Sequence, residues 1–157
     1  MKLFGIPGAP LALTLAGLTP FAAGAGVMWA AEADPVLQAQ AGLTLLVYGA
    51  VILSFVGGVR WGAEIAASET PRAAVLGLSV LGSLAGWGLV LYGVLGALDW
   101  KVFAAAAGAH LLHGVWDTGA AGLPAWMRRL RAVGTFGAAA ALLAGGAVST
   151  SPESCGR

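Results

Sequence analysis

The sequence predicts an all-α fold: a polytopic membrane protein of five transmembrane helices, N-terminus inside and C-terminus outside. Three observations predict it. Hydrophobic residues make up 59% of the chain and charged residues 10%, where a soluble domain carries roughly 25% charge. Too few polar side chains are present to clothe a water-facing surface. Apolar runs of about the 20 residues needed to cross a bilayer recur from one end of the chain to the other. The basic residues also fall unevenly among the loops between those runs.

The first span is expected over 9–31. Pro20 sits in its middle and should kink it, because proline lacks the backbone donor and crowds the preceding turn. A cleaved signal peptide, with Lys2 as a thin basic region, is the rival reading. The apolar stretch is long for one and carries a single charge ahead of it. Glu32, Asp34 and Pro35 break the run. The second span is expected over 38–66, and Ser68 to Arg72 forms the next break. Pro71 there suits the first turn of a new helix. The third span, 73–98, is rich in glycine and is taken as one helix, since splitting it at Gly86-Trp87-Gly88 leaves two pieces too short to cross. Asp99-Trp100-Lys101 separates it from the fourth, 102–120, which is the least apolar. Gly119 to Pro124 is a loop. Trp126 to Arg131 leads into the fifth span, 132–148, and 149–157 is a polar tail. The bundle, 1–148, is a single domain without a heptad array or internal repeat.

Orientation follows from charge. Five spans put Lys2, Arg60, Arg72, Arg128, Arg129 and Arg131 on one side, and only Lys101 and Arg157 on the other. The Lys/Arg-rich side is cytoplasmic, or matrix in a mitochondrion. Trp29, Trp61, Trp100 and Trp126 fall near span ends, where an interfacial aromatic belt lies. A formal net charge of +1 and the lack of a long basic run exclude a nucleic-acid surface.

The second span ends on Gly57-Gly58-Val59-Arg60-Trp61-Gly62. Arg60 lies about 20 residues in, where a guanidinium reaches the inner headgroups and Trp61 anchors beside it. Gly58 with Gly62, and Gly82 with Gly86, are small-xxx-small pairs that let helices approach closely. The fourth span carries the one candidate site. His110, His113 and Asp117 are spaced three and four apart, so they share a narrow stripe, and an ionisable residue inside a membrane is a functional hypothesis by default. The alternative is a stripe turned inward and satisfied by neighbouring backbone and hydroxyls. Arg60 and Asp117 are expected to face each other, or to share a polar pocket near the inner surface with His113. Glu64 is the rival partner of Arg60.

Other chemistry finds little support. Two histidines on one helix cannot supply both axial ligands of a haem. A zinc site needs three or four ligands, and Glu64 lies too near the inner face to join His110, His113 and Asp117. No P-loop, dinucleotide fingerprint, zinc-protease motif or Gly-x-Ser-x-Gly elbow is present. The single cysteine, Cys155, has no nearby partner for a disulfide or a metal. No catalytic residue, metal or cofactor is predicted.

Tyr48 through Gly62 (YGAVILSFVGGVRWG), together with Gly17-Leu18, Pro20-Phe21, Asp117, Leu123-Pro124, Trp126 and Leu130-Arg131, resembles a small multi-pass membrane family of unknown function. That family is found in proteobacteria and mitochondria and includes the animal transmembrane protein sixty-nine. The resemblance spans most of the chain, and the Tyr48 block is its specific part. Where many members carry histidine, this chain carries Arg60. The resemblance implies a multi-pass protein of a bacterial inner membrane or mitochondrial inner membrane, without an established activity.

The functional expectation is a structural, assembly or accessory subunit, packing in the lipid bilayer against a larger membrane complex or against itself. The alternative is a small transporter or proton-linked channel using the His/Asp stripe. A membrane enzyme acting on a lipid or quinone is a third reading.

Overall fold

A computed structural model of the chain describes residues 2–3, 5–96, 98–119 and 123–149. The expected tail beyond 149, with Cys155, lies outside the described residues. A short antiparallel hairpin of β1 (Lys2–Leu3) and β2 (Ile6–Pro7) opens the chain. Gly5 turns it with φ +73°, a backbone conformation that glycine adopts without steric cost. Five helices follow: α1 (Gly8–Ala30), α2 (Pro35–Ala67), α3 (Ala73–Leu95), α4 (Trp100–Gly119) and α5 (Ala125–Gly146). Three of them, α1, α2 and α3, are long and apolar enough to cross a membrane on those grounds alone. Large apolar side chains face outward over them, among them Leu13, Phe55, Trp87 and Leu95. This is the signature of a protein whose solvent is lipid.

Local chemistry sets the helix ends. Asp34 caps α2, accepting from the backbone N–H groups of Val36 and Leu37 at 3.1 and 3.0 Å, with Pro35 as the first helical residue. Asp99 caps α4 in the same way, accepting from Lys101 and Val102. Between α2 and α3, Arg72 turns back to Glu64, donating from its backbone N–H and from Nε and Nη2 at 3.0, 2.8 and 2.8 Å. Those hydrogen bonds, with the carboxylate's charge behind them, hold the Arg72 guanidinium above its ordinary pKa.

Pro20 does not interrupt α1, which runs as one helix from Gly8 to Ala30. The carbonyl that proline leaves without an N–H is that of Ala16, four residues back. The Thr19 hydroxyl donates to it at 2.7 Å. A neighbouring hydroxyl thus repairs the gap, as membrane helices with internal proline require. The start of α5 is the largest shift from expectation. It begins at Ala125 rather than 132, so Trp126 to Arg131 form its first turns instead of a lead-in.

The helices pack as two antiparallel hairpins, α2 with α3 and α4 with α5, and α1 lies against α2 and α5. The α2–α3 contact is close because glycine lines it. A Cβ on Gly86 would stand 2.9 Å from the Ala50 Cα, and one on Gly57 would strike the Ser79 carbonyl. Gly82 lies on the same seam, against Leu53 and His113, and the Ser83 hydroxyl donates to that of Ser54 at 3.0 Å. Gly58 and Gly62 are not on it. A Cβ at either would meet nothing within 4 Å, because at 100° per residue the step from Gly57 to Gly58 turns the side chain away from α3. In α4–α5, Phe103 packs over Gly146 and Thr135 over Gly114.

The apolar core fills one half of the bundle. Phe21, Met28, Leu45, Leu46, Phe103 and Leu142 are all fully buried there. They belong to the C-terminal parts of α1 and α5 and the N-terminal parts of α2 and α4. Trp29 closes that end, its indole N–H donating to the Ala144 carbonyl at 2.9 Å.

Candidate functional site

The polar stripe of α4 turns inward, and His110, His113 and Asp117 are all buried. They step away from the apolar core toward the other end of the bundle. His110 is nearest the core. Its Nε2–H donates to the Gly49 carbonyl of α2 at 3.1 Å, and the ring meets Phe21 edge-on at 5.8 Å. Phe21 in turn packs on Tyr48, whose hydroxyl donates to the Gly17 carbonyl of α1 at 2.8 Å. This upper part of the stripe is satisfied by its neighbours.

The lower part is not. Asp117 is 2% exposed and meets Arg131 of α5, with Nε 3.0 Å from Oδ2. The approach is close but off-axis, so neither carboxylate oxygen receives an aligned hydrogen bond among the described residues. The His113 Nε2 is buried without a partner as well. Its ring stacks edge-on against Trp116 at 5.2 Å. A carboxylate and an imidazole with hydrogen-bonding capacity to spare therefore share a desolvated corner beside the Arg131 guanidinium. Buried polar atoms in this state are uncommon and call for an explanation.

The expected ion pair between Arg60 and Asp117 is not formed. Arg60 is buried, but its guanidinium lies over the Trp116 ring, 5.7 Å from the centroid, a cation–π contact. Glu64, the rival partner, is taken by Arg72. Arg131 claims Asp117 because α5 starts early enough to carry it into the bundle, while Arg128 and Arg129 stay exposed. The α4–α5 register that sets Thr135 on Gly114 and Phe103 on Gly146 also sets Arg131 opposite Asp117.

Against this corner lies a cleft of about 390 Å³. Its walls come from four helices: Pro10 to Leu18 of α1, Ile52 to Val59 of α2, His110 to Asp117 of α4 and Met127 to Thr135 of α5. Most of the lining is apolar. The polar groups are His110, His113, Asp117 and Arg131, with the hydroxyls of Thr14 and Thr135. Arg60 stands outside it. A cleft of this size, apolar with a few convergent polar groups, has the character of a small-molecule site. Among the described residues, no group of three or more His, Cys, Asp or Glu side chains is arranged to hold a metal ion.

Arg131, Thr14 and Thr135 are the site residues that sequence reasoning missed. The signal for Arg131 lay in the short connection between α4 and α5, which makes the two helices antiparallel neighbours and keeps the residues that flank the turn close to one another.

No curated protein and no solved structure matches the chain. One family model does, over residues 6–147, which takes in all five helices and every wall of the cleft. The chain belongs to that family, described as a protein of unknown function (DUF3429).

Proposed function

We propose that this chain is a multi-pass accessory protein of a bacterial inner membrane or of the related mitochondrial membrane, and that its cleft binds an apolar-tailed molecule within the inner half of the bilayer. All five helices cross, with the N-terminus inside. The outward faces of α4 and α5 support this, since Leu112 and Val115 are 75% and 72% exposed and Phe136 66%, while His110, His113, Asp117 and Arg131 turn inward and the exposed Lys101, Arg128 and Arg129 lie near helix ends. The polarity of the ends agrees: the cleft lies at the ends of the helices that carry Arg60, Arg128, Arg129 and Arg131, the basic face that stays inside. A kinship with transmembrane protein sixty-nine would extend the same reading to mitochondria.

The observation that carries the proposal is the cleft's one-sidedness. Four helices wall it, the Asp117–Arg131 pair floors it, and the opposite half of the bundle is closed by Phe21, Met28, Leu45, Phe103 and Leu142. A site walled off from the opposite half of the bundle suits binding. A transporter or proton channel needs a polar route across the second half, and there the apolar cluster lies between His110 and the buried Asp99, whose carboxylate is engaged in capping α4.

The test is mass spectrometry of the organic extract from protein purified in mild detergent. A Gly134→Phe variant serves as control, because it places a ring in the cleft wall beside Thr14. A molecule enriched with the wild type and depleted with the variant is expected. Equal extracts from both would overturn the proposal.

The second reading, a subunit docked on a larger complex or on its own copy, draws on the outward-facing Gly58 and Gly62, which leave open space on α2 four residues apart. A pull-down in mild detergent that recovers neither a partner nor a second copy would remove it.

A further inference from the structure

We infer that the cleft takes a membrane-dissolved molecule with an uncharged, hydroxyl-bearing head, the head lodged at Asp117, Arg131 and His113 and the tail leaving sideways into lipid between α1 and α2. This rests on the reading of the cleft as a binding site and adds the chemistry of its ligand.

The way in is a gap between two helices. The Tyr48 hydroxyl holds α2 to the Gly17 carbonyl of α1. Toward the α1 N-terminus the helix leans on α5 instead, with Leu18 against Gly137 and Thr14 against Gly134. Leu13 on one lip is 74% exposed and Phe55 on the other is 64% exposed. Both line the cleft and both face the surrounding lipid. An apolar tail therefore needs no passage through water to enter.

Charge selects the head. Asp117 and Arg131 are an ion pair, so the floor is neutral as a unit. An anionic phosphate would meet the Asp117 carboxylate in a setting of low dielectric, and an ammonium would meet Arg131; both are penalised there. An uncharged head escapes both penalties.

Hydrogen bonding selects it further. A carboxylate only accepts, so the group that meets Asp117 must donate. The off-axis Arg131 contact leaves both carboxylate oxygens without an aligned donor. These atoms and His113 Nε2 are buried, while Asp117 and His113 line the cleft, so a turn of the carboxylate or the ring is what brings them to a ligand. His113 Nε2 accepts or donates according to its tautomer, and a hydroxyl oxygen answers either. A phenol or alcohol fits this set. A ketone, ester or ether alone leaves Asp117 unsatisfied. Two membrane sources supply such a head: a quinol and a diacylglycerol.

The experiment is native mass spectrometry of the full chain in detergent, with four probes at equal concentration. They are a short-tailed benzoquinol, its dimethyl ether, dioctanoylglycerol and dioctanoyl phosphatidylglycerol. Wild type is expected to retain the quinol or the diacylglycerol, or both, at least about tenfold better than the ether and the phosphatidylglycerol, a difference of the order one charge-assisted hydrogen bond supplies. Whichever of the two is retained identifies the source. His113→Phe should lower that retention while leaving the protein folded, and Gly134→Phe should abolish it. Ether or phosphatidylglycerol bound as well as the hydroxyl probes, yet lost in Gly134→Phe, would overturn the inference and leave the cleft as a binding site. Binding of every probe unchanged by Gly134→Phe would overturn the cleft reading itself. The ether comparison uses wild type alone, so it stands even where a variant misfolds.

Discussion

Asp117 and Arg131 are the most consequential pair of side chains in the molecule. Asp117 is buried and Arg131 mostly so, and each offsets the charge of the other where water is scarce. Removing one leaves the other uncompensated, at a cost of about 3–5 kcal/mol. Asp117→Ala and Arg131→Ala should each lower the thermal unfolding temperature in detergent markedly, and the double variant should lose less than the two together. Arg60→Ala should instead be additive with Asp117→Ala, because Arg60 engages Trp116 and not the carboxylate. A smaller effect belongs to Thr19. Thr19→Val keeps the shape but uncovers the Ala16 carbonyl that Pro20 orphans. It should cost about 0.5–1.5 kcal/mol, the net value of one hydrogen bond, as read from detergent unfolding curves.

At the scale of elements, the helix pairs decide which glycines matter. Gly57 and Gly86 sit where α3 and α2 touch backbone to backbone. Gly86→Val should push the pair apart and destabilise the fold by about 1–3 kcal/mol, the usual cost of overpacking. Gly58→Ala and Gly62→Ala should not lower the unfolding temperature and should raise it slightly, since nothing faces them and alanine favours a helix over glycine by about 0.5–1 kcal/mol. The sequence marks both kinds alike. Spacing identifies a small-residue stripe, but a turn of 100° between Gly57 and Gly58 separates a packed residue from a bare one, and only the neighbouring helix reveals which is which.

The same limit explains the site. His110, His113 and Asp117 were legible as one face of α4 because their spacing is a property of a single helix. Their partner was not, because partnership depends on where two helices start. Reading Trp126 to Arg131 as a lead-in leaves Arg131 at the interface with water. Starting α5 at Ala125 carries it inside, opposite Asp117. Arg60 then loses the role its depth suggested and takes an aromatic face instead. The order and approximate bounds of the other four helices were legible because long apolar runs broken by Asp34-Pro35, Pro71-Arg72 and Asp99 leave few alternatives.

For the molecule as a whole, the arrangement is polar at one end within and apolar without. Alkaline phosphatase fused after Thr70 should be inactive, and fused after Ser151 active, if five spans run from an inside N-terminus. The reverse pattern would overturn that topology. The central claim is narrower: lipid-soluble molecules enter between α1 and α2 and stop at the Asp117–Arg131 ion pair. Photolabelling of the protein in native membranes tests it most directly, using a tailed alcohol with a diazirine on its chain and peptide mass spectrometry to map the adducts. The account predicts adducts concentrated at Leu13 and Phe55 on the lips of the cleft, and their disappearance in Gly134→Phe. Adducts spread evenly over the lipid-facing side chains, with Trp87, Leu95 and Leu112 labelled as heavily as Leu13 and Phe55 and no response to Gly134→Phe, would contradict it.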